Sequence, residues 1–141
     1  MKTENINTCK RIAEELKQYA TGKMYRCPEC GEVCTIEAIE EIDDGATVYT
    51  TSCECDTERE PEQLSIIDYL ENALDIEYRF GSRKEYRSCK IMVTCGGPNI
   101  YIDTRIRRVT LHWYTEYADY PISSDACDAL DEYMEEYFNC M

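Results

Sequence analysis

Cys27 and Cys30, in the run Cys27-Pro28-Glu29-Cys30-Gly31, and Cys53 and Cys55, in Cys53-Glu54-Cys55, are the residues of this chain best suited to chemistry. Four thiolates at such pairwise spacing can make a tetrahedral all-sulfur zinc site. The first pair has the C-x-x-C spacing, in which one turn presents two sulfurs to the same side of an ion. The second is C-x-C, which can still chelate but demands a more extended backbone. Cys34 is a spare that could replace Cys53 or Cys55. A four-thiolate site leaves no coordination position open, so its role is structural and it names no activity.

Other chemistry-bearing groups are weaker. Cys9, Cys89, Cys95, Cys127 and Cys140 are scattered, and the expectation for each is a small buried hydrophobe. His112 is the only histidine and has no motif around it, so a Cys-His nucleophile is not favoured and the chain reads as a non-enzyme. Gly96-Gly97-Pro98-Asn99 lacks the pattern of a phosphate loop and reads as a hairpin turn. Arg79, Arg83, Lys84, Arg87, Lys90, Arg105, Arg107 and Arg108, with Tyr86, Tyr101 and Tyr114 nearby, form a basic stretch. It would suit a nucleic-acid platform, but pairing with the chain's own acids is the favoured expectation. Asp125, Asp128, Asp131, Glu132, Glu135 and Glu136 crowd the last helical segment. Acids at 125, 128, 132 and 135 step along one helical face by about 5 Å, at 1.5 Å per residue. That spacing could compete with strand phosphates for Lys/Arg clusters; the plain alternative is a solvated helix face.

Composition sets the frame. The formal net charge is -14 over 141 residues, with 43% hydrophobic residues, enough for one packed domain or a domain plus a small module. Acidity is segmented: residues 29–77 hold sixteen Asp/Glu against Arg59 alone, and residues 109–141 hold eight Asp/Glu and no Lys/Arg. Residues 78–108 are net basic. A chain this acidic is repelled by nucleic acid and by anionic membranes and attracted to basic surfaces. No apolar run approaches the roughly 18 residues that span a bilayer. The opening MKTENINTCKRIAEE lacks the apolar core of a signal peptide. The expected compartment is the reducing cytosol, where ten cysteines favour metal or buried thiols over disulfides.

The elements that must position these residues follow from periodicity. Ile6, Cys9, Ile12, Leu16 and Tyr19 predict an amphipathic helix over about 7–20, ended by Gly22. TIEAIEEI, the turn Asp43-Asp44-Gly45 and ATVYTTS predict a β-hairpin between the cysteine pairs. Residues 56–63 read as a polar linker, and Ile66, Ile67, Leu70, Ala73 and Leu74 as a second helix over about 64–74. Alternation through 76–80, 90–95, 100–103 and 109–114 predicts an antiparallel meander with one covered face, the second and last helices being its cover. The last helix spans about 124–139, capped by Ser123 or Ser124. The expected fold is α+β: an antiparallel β-meander packed by helices, with an N-terminal helix over 1–23, a small module over 24–58 and an α+β domain over 59–141.

A hairpin flanked by two cysteine knuckles resembles a zinc ribbon, over about residues 24–58. More broadly, CPECGE, YLENALDIEYR, IMVTCGGPNIYIDT and YPISSDACDALDEYMEEYF resemble short acidic proteins of phages and conjugative elements of gut bacteria. Some proteins of that setting are anti-CRISPR inhibitors. The resemblance implies a mobile-element setting, with inhibition of a host defence protein as one role in it, and supplies no catalytic residues. The expected function is therefore a non-enzymatic binding protein that docks on a basic, nucleic-acid-binding protein such as a CRISPR effector nuclease. The alternative is a zinc-ribbon adaptor for nucleic acid or for a host replication or transcription factor.

Overall fold

The computed structural model describes residues 2–42 and 45–141. Asp43 and Asp44 of the predicted hairpin turn lie outside the described residues. The chain divides into two compact units, Met1–Thr21 with Ile66–Met141, and Gly22–Ser65. The first helix, α1 (Lys2–Ala20), thus shares a unit with the later sheet, where its sequence alone had set it apart. It also begins earlier than its apolar stripe.

Gly22–Ser65 holds six short strands: β1 (Tyr25–Arg26), β2 (Val33–Cys34), β3 (Ile36–Glu41), β4 (Thr47–Thr51), β5 (Asp56–Thr57) and β6 (Glu62–Gln63). They form two three-stranded sheets, ordered β2-β1-β6 and β3-β4-β5. The predicted hairpin is β3–β4, closed where Ile42 N–H donates to Ala46 O at 2.9 Å and Gly45 takes φ 86°. The expected linker over 56–63 is instead structured. β5 pairs with β4, β6 pairs with β1, and Pro61 and Leu64 are buried. Backbone pairing here overrides the polar composition that argued for a linker.

The other unit contains α1, α2 (Ile66–Leu70), β7 (Asp75–Phe80), β8 (Tyr86–Thr94), β9 (Asn99–Asp103), β10 (Arg108–Trp113), β11 (Glu116–Pro121) and α3 (Ser124–Asn139). The five strands make an antiparallel meander in the order β11-β10-β9-β8-β7. α2 is shorter than the predicted 64–74, because single turns follow it and Leu74 N–H already bonds Met92 O in the sheet. β11 is absent from the sequence prediction: its turn, Tyr114-Thr115, has no glycine or asparagine, yet Tyr114 adopts φ 55°.

One face of the meander is apolar. Cys89, Ile91, Ile100, Ile102, Val109, Leu111 and Ala118 are buried on it. α1 lies over β10 and β11, α3 lies over β8, and the two helices touch. The cover therefore includes α1 as well as the expected α3. From α1 come Cys9, Ile12, Ala13, Leu16 and Tyr19, and from α3 Ala126, Cys127, Leu130 and Met134. Ser123 caps α3, its hydroxyl accepting from Ala126 N–H at 3.2 Å. Tyr86 donates to Asp131 Oδ1 at 2.6 Å, and Phe138 packs on Tyr78, Phe80 and Tyr86.

The opposite face is charged and, among the described residues of this unit, has no helix over it. Arg79 grips Asp103 with two bonds, at 2.7 and 3.0 Å. Arg108 Nη2 bonds Asp119 Oδ1 at 3.1 Å, with Tyr117 hydroxyl donating to Asp119 Oδ2 at 3.1 Å. Lys90 stands 4.4 Å over the Tyr101 ring. His112 is exposed here between Tyr101 and Tyr117. Among the described residues no helix is long and apolar enough to cross a membrane.

The two arginine pairs differ in burial, and this gives a test. Burial pushes the Asp103 carboxyl up, but Arg79 and the Arg105 N–H outweigh it and hold the group below the ordinary carboxylate value. A carboxyl lowered on folding adds stability that is present above its unfolded value of about 3.9 and fades as pH falls through the folded one. The Asp103 side chain is 8% exposed against 31% for Asp119. Arg79→Ala strands a buried charge and is expected to cost about 3 kcal/mol at pH 7. Arg108→Ala is expected to cost about 1 kcal/mol or less. Urea unfolding at pH 7 and pH 3 checks this: the Arg79→Ala deficit shrinks at the lower pH, and equal deficits for the two variants would contradict the assignment.

Candidate metal centre

The first cysteine pair sits on a tight loop between β1 and β2. Gly31 N–H donates to Cys27 O at 2.9 Å and Cys27 N–H to Glu32 O at 2.9 Å. Gly31 takes φ 77°, a left-handed conformation that glycine adopts without a Cβ clash. The loop thereby turns back directly after Cys30, leaving Cys27 buried and Cys30 exposed. Arg26 Nη1 donates to Gly31 O at 3.1 Å and fastens the turn from outside.

The second pair sits on the loop from β4 to β5 and uses a related construction shifted along the chain. Thr51 N–H donates to Cys55 O at 3.0 Å, and Glu54 N–H donates to Thr51 O at 3.0 Å. Here the left-handed residue is Glu54, at φ 66°. Thr51 occupies the base of this loop, the place that Cys27 takes in the first. Cys53 and Cys55 then flank the left-handed residue, and this is how a C-x-C pair turns both sulfurs the same way. A non-glycine residue there costs roughly 1–2 kcal/mol.

The four predicted ligands come together. The Sγ atoms of Cys27, Cys30, Cys53 and Cys55 all lie within 4.8 Å of one another, so this set could hold a metal ion. Cys34 is buried on β2 and stays out of the set. Burial, and then the neighbouring thiolates, push its thiol up to about 11, as expected of a protonated packing residue.

The surroundings favour charged sulfur at one corner. Thr51 is buried, and its Oγ1 lies 2.9 Å from Cys53 Sγ. Toward a thiolate the hydroxyl must be the donor, and the contact brings the Cys53 thiol down to about 6. Cys55, bonded into the same sulfur cluster, is pushed up to about 12, first by Cys53. Negative charges on sulfurs this close repel one another unless a cation neutralises them.

A further layer ties the two loops together. Thr57, on β5 and 3% exposed, donates to Glu29 Oε1 at 2.9 Å. Arg59 Nη2 bonds Pro28 O at 2.9 Å and Glu29 Oε1 at 3.1 Å. The one cation of the 29–77 stretch is thus spent on fastening the first cysteine loop to the strand that leaves the second. Ser52 adds a reciprocal pair with Thr35, each bond 2.9 Å long. Thr51, Thr57 and Arg59 were not singled out by sequence; only their closeness to the cysteines could have marked them.

The remaining predicted positions fall elsewhere. Of the α3 acids, Asp125, Asp128, Glu132, Glu135 and Glu136 are exposed, while Asp131 is half-buried on Tyr86. Asp128 lies 3.5 Å from Arg107. In the basic stretch Arg79, Arg87, Arg107 and Arg108 pair with Asp103, Glu85, Asp128 and Asp119. Cys9, Cys89 and Cys127 are fully buried as expected, whereas Cys95, in the loop after β8, and Cys140, at the end of α3, are exposed. Burial raises the thiols of Cys9 and Cys127 to about 11. Cys89 lies on the covered face of the sheet and His112 on the opposite one, so they make no pair.

The fold and site together define an α+β protein with a four-cysteine candidate metal centre. Comparison with protein-family models, curated proteins and solved structures gives no match to this chain.

If these four sulfurs are the ligand set, protein purified without chelator carries one metal equivalent per chain by mass spectrometry. Cys30→Ser, at an exposed position, is expected to lose most of it, and Cys34→Ala to keep it. Loss in Cys34→Ala equal to that in Cys30→Ser would assign the wrong fourth ligand.

Proposed function

We propose that the protein is a zinc-stapled acidic binding protein that docks on the basic, nucleic-acid-binding surface of a partner protein. Zinc suits the donor set: four soft thiolates, a tetrahedral preference and no redox demand. Zn–S bonds of about 2.3 Å put tetrahedral sulfurs about 3.8 Å apart, so sulfurs already within 4.8 Å need only a small contraction. Cys27, Cys30, Cys53 and Cys55 would hold the ion, with Thr51 donating to the Cys53 sulfur. The metal would shape the surface and take no part in a reaction.

The docking reading rests on an asymmetry in how charge is used. The sheet takes up its own cations: Arg79 and Arg108 lie in carboxylate pairs on its charged face, and Lys90 lies over Tyr101. The acids of α3 are treated differently. Asp125, Glu132, Glu135 and Glu136 are exposed and have no ion-pair partner among the described residues. An outward anionic helix on a chain of net charge -14 draws basic partners quickly and in a salt-dependent way. In the mobile-element setting that the sequence resembles, the partner class is a CRISPR effector nuclease.

The test is inhibition of target cleavage by purified CRISPR effector nucleases of gut bacteria. Inhibition that weakens as salt rises, and Glu132→Lys/Glu135→Lys/Glu136→Lys weakening it at least tenfold, are expected. These positions avoid Asp131, whose bond to Tyr86 belongs to the fold. Inhibition untouched by the triple reversal would remove α3 from the mechanism.

A further inference from the structure

The structure points to a phosphate-binding cleft in the sheet unit, where the weakly paired Arg87 and Arg107 of the basic stretch come together with Arg105, unpaired among the described residues. A cleft of about 590 Å³ opens at one end of the meander, walled by Arg79, Phe80, Arg87, Ser88, Thr104, Arg105, Arg107 and Asp131. Its size falls in the range of small-molecule sites. Four guanidinium groups in one cleft are unexpected in so acidic a chain, and only one carboxylate, Asp131, stands in the wall with them.

The four arginines are not equivalent. Arg79 is fixed: both its terminal nitrogens hold Asp103. Arg105 is the opposite case. Its backbone N–H bonds Asp103, but its guanidinium has no carboxylate partner among the described residues. Arg87 and Arg107 lie between, in single-contact pairs with Glu85 and Asp128, their side chains 66% and 52% exposed. Such pairs contribute about 1 kcal/mol or less and exchange readily for a better anion.

A phosphomonoester is such an anion. It carries close to two charges near neutral pH, and its oxygens accept the two-pronged bonds that guanidinium groups offer. Arg87, Arg105 and Arg107 would close on it. Ser88, 5% exposed, accepts weakly from Arg79 at 3.4 Å, and its own proton has no acceptor among the described residues. Asp131 opposes the ligand least where it is already engaged, at the oxygen bonded by Tyr86. Phe80, 57% exposed, supplies an apolar wall beside the charged one. The inferred ligand is therefore a small phosphorylated molecule with a flat or apolar part, and not a phosphate chain running across the open sheet.

Titration calorimetry of the intact, metal-loaded protein with AMP and with adenosine tests this. Saturable one-to-one binding of AMP is expected, with adenosine at least tenfold weaker. Arg87→Gln/Arg105→Gln, two exposed positions outside the core, is expected to weaken AMP at least tenfold while leaving the circular dichroism unchanged. Amide shifts on adding AMP should centre on Ser88, Thr104 and Arg105. No saturable AMP binding, equal affinity in the double variant, or binding of an oligothymidylate but not of AMP would each overturn the proposal.

Discussion

Four sulfur atoms within 4.8 Å of one another set the central constraint on this chain. Uncompensated, they hold protons and charge in competition: Cys53, held by the Thr51 hydroxyl and then by its sulfur neighbours, is drawn down to about 6, while Cys55 is driven up to about 12, first by Cys53. A divalent cation removes that conflict and turns it into attraction. The segment around the site has few other means of cohesion. Its strands run from two to six residues, and sixteen acids crowd 29–77. What surrounds the sulfurs is accordingly hydrogen bonding more than apolar burial: Thr51 under Cys53, Thr57 and Arg59 on Glu29, Ser52 on Thr35.

The sheet unit is held differently. Its apolar face is a continuous core shared with α1 and α3, in which even the cysteines are packing residues. The charged face resolves a second electrostatic problem by pairing arginine with aspartate across strands. The consequence is directional. Cations on the sheet are absorbed, and anions on α3 point outward. At the end of the sheet Arg105 has no carboxylate partner among the described residues, and it shares a cleft with the paired Arg79, Arg87 and Arg107.

Much of this was legible in the chain because it depends on local chemistry. The C-P-E-C-G run predicts its own loop, since Gly31 supplies the left-handed turn directly after Cys30. The β3–β4 hairpin and α3 follow from alternation, helical period and a serine cap, and the four cysteines picked out by spacing are the four whose sulfurs cluster. What was not legible depends on partners distant in sequence. Glu62–Gln63 is a strand only because Tyr25–Arg26 lies beside it. Glu116–Pro121 follows a turn with no glycine or asparagine, where cross-strand pairing imposes the left-handed conformation on Tyr114. The construction of the C-x-C pair is hidden in the sequence, which shows only the spacing between cysteines. In space the relevant unit begins at Thr51, and Glu54 makes the turn that glycine makes in the other loop.

If a metal on the four thiolates staples Gly22–Ser65 as proposed, that unit loses its fold without the metal while the core of the sheet unit stands. Amide hydrogen exchange with and without a strong chelator under reducing conditions tests it most directly. Chelation should abolish protection at Cys27, Gly31, Thr51 and Glu54, whose N–H groups close the two cysteine loops, and leave β8 to β10 protected. Unchanged protection of those four amides after complete metal removal would contradict the account.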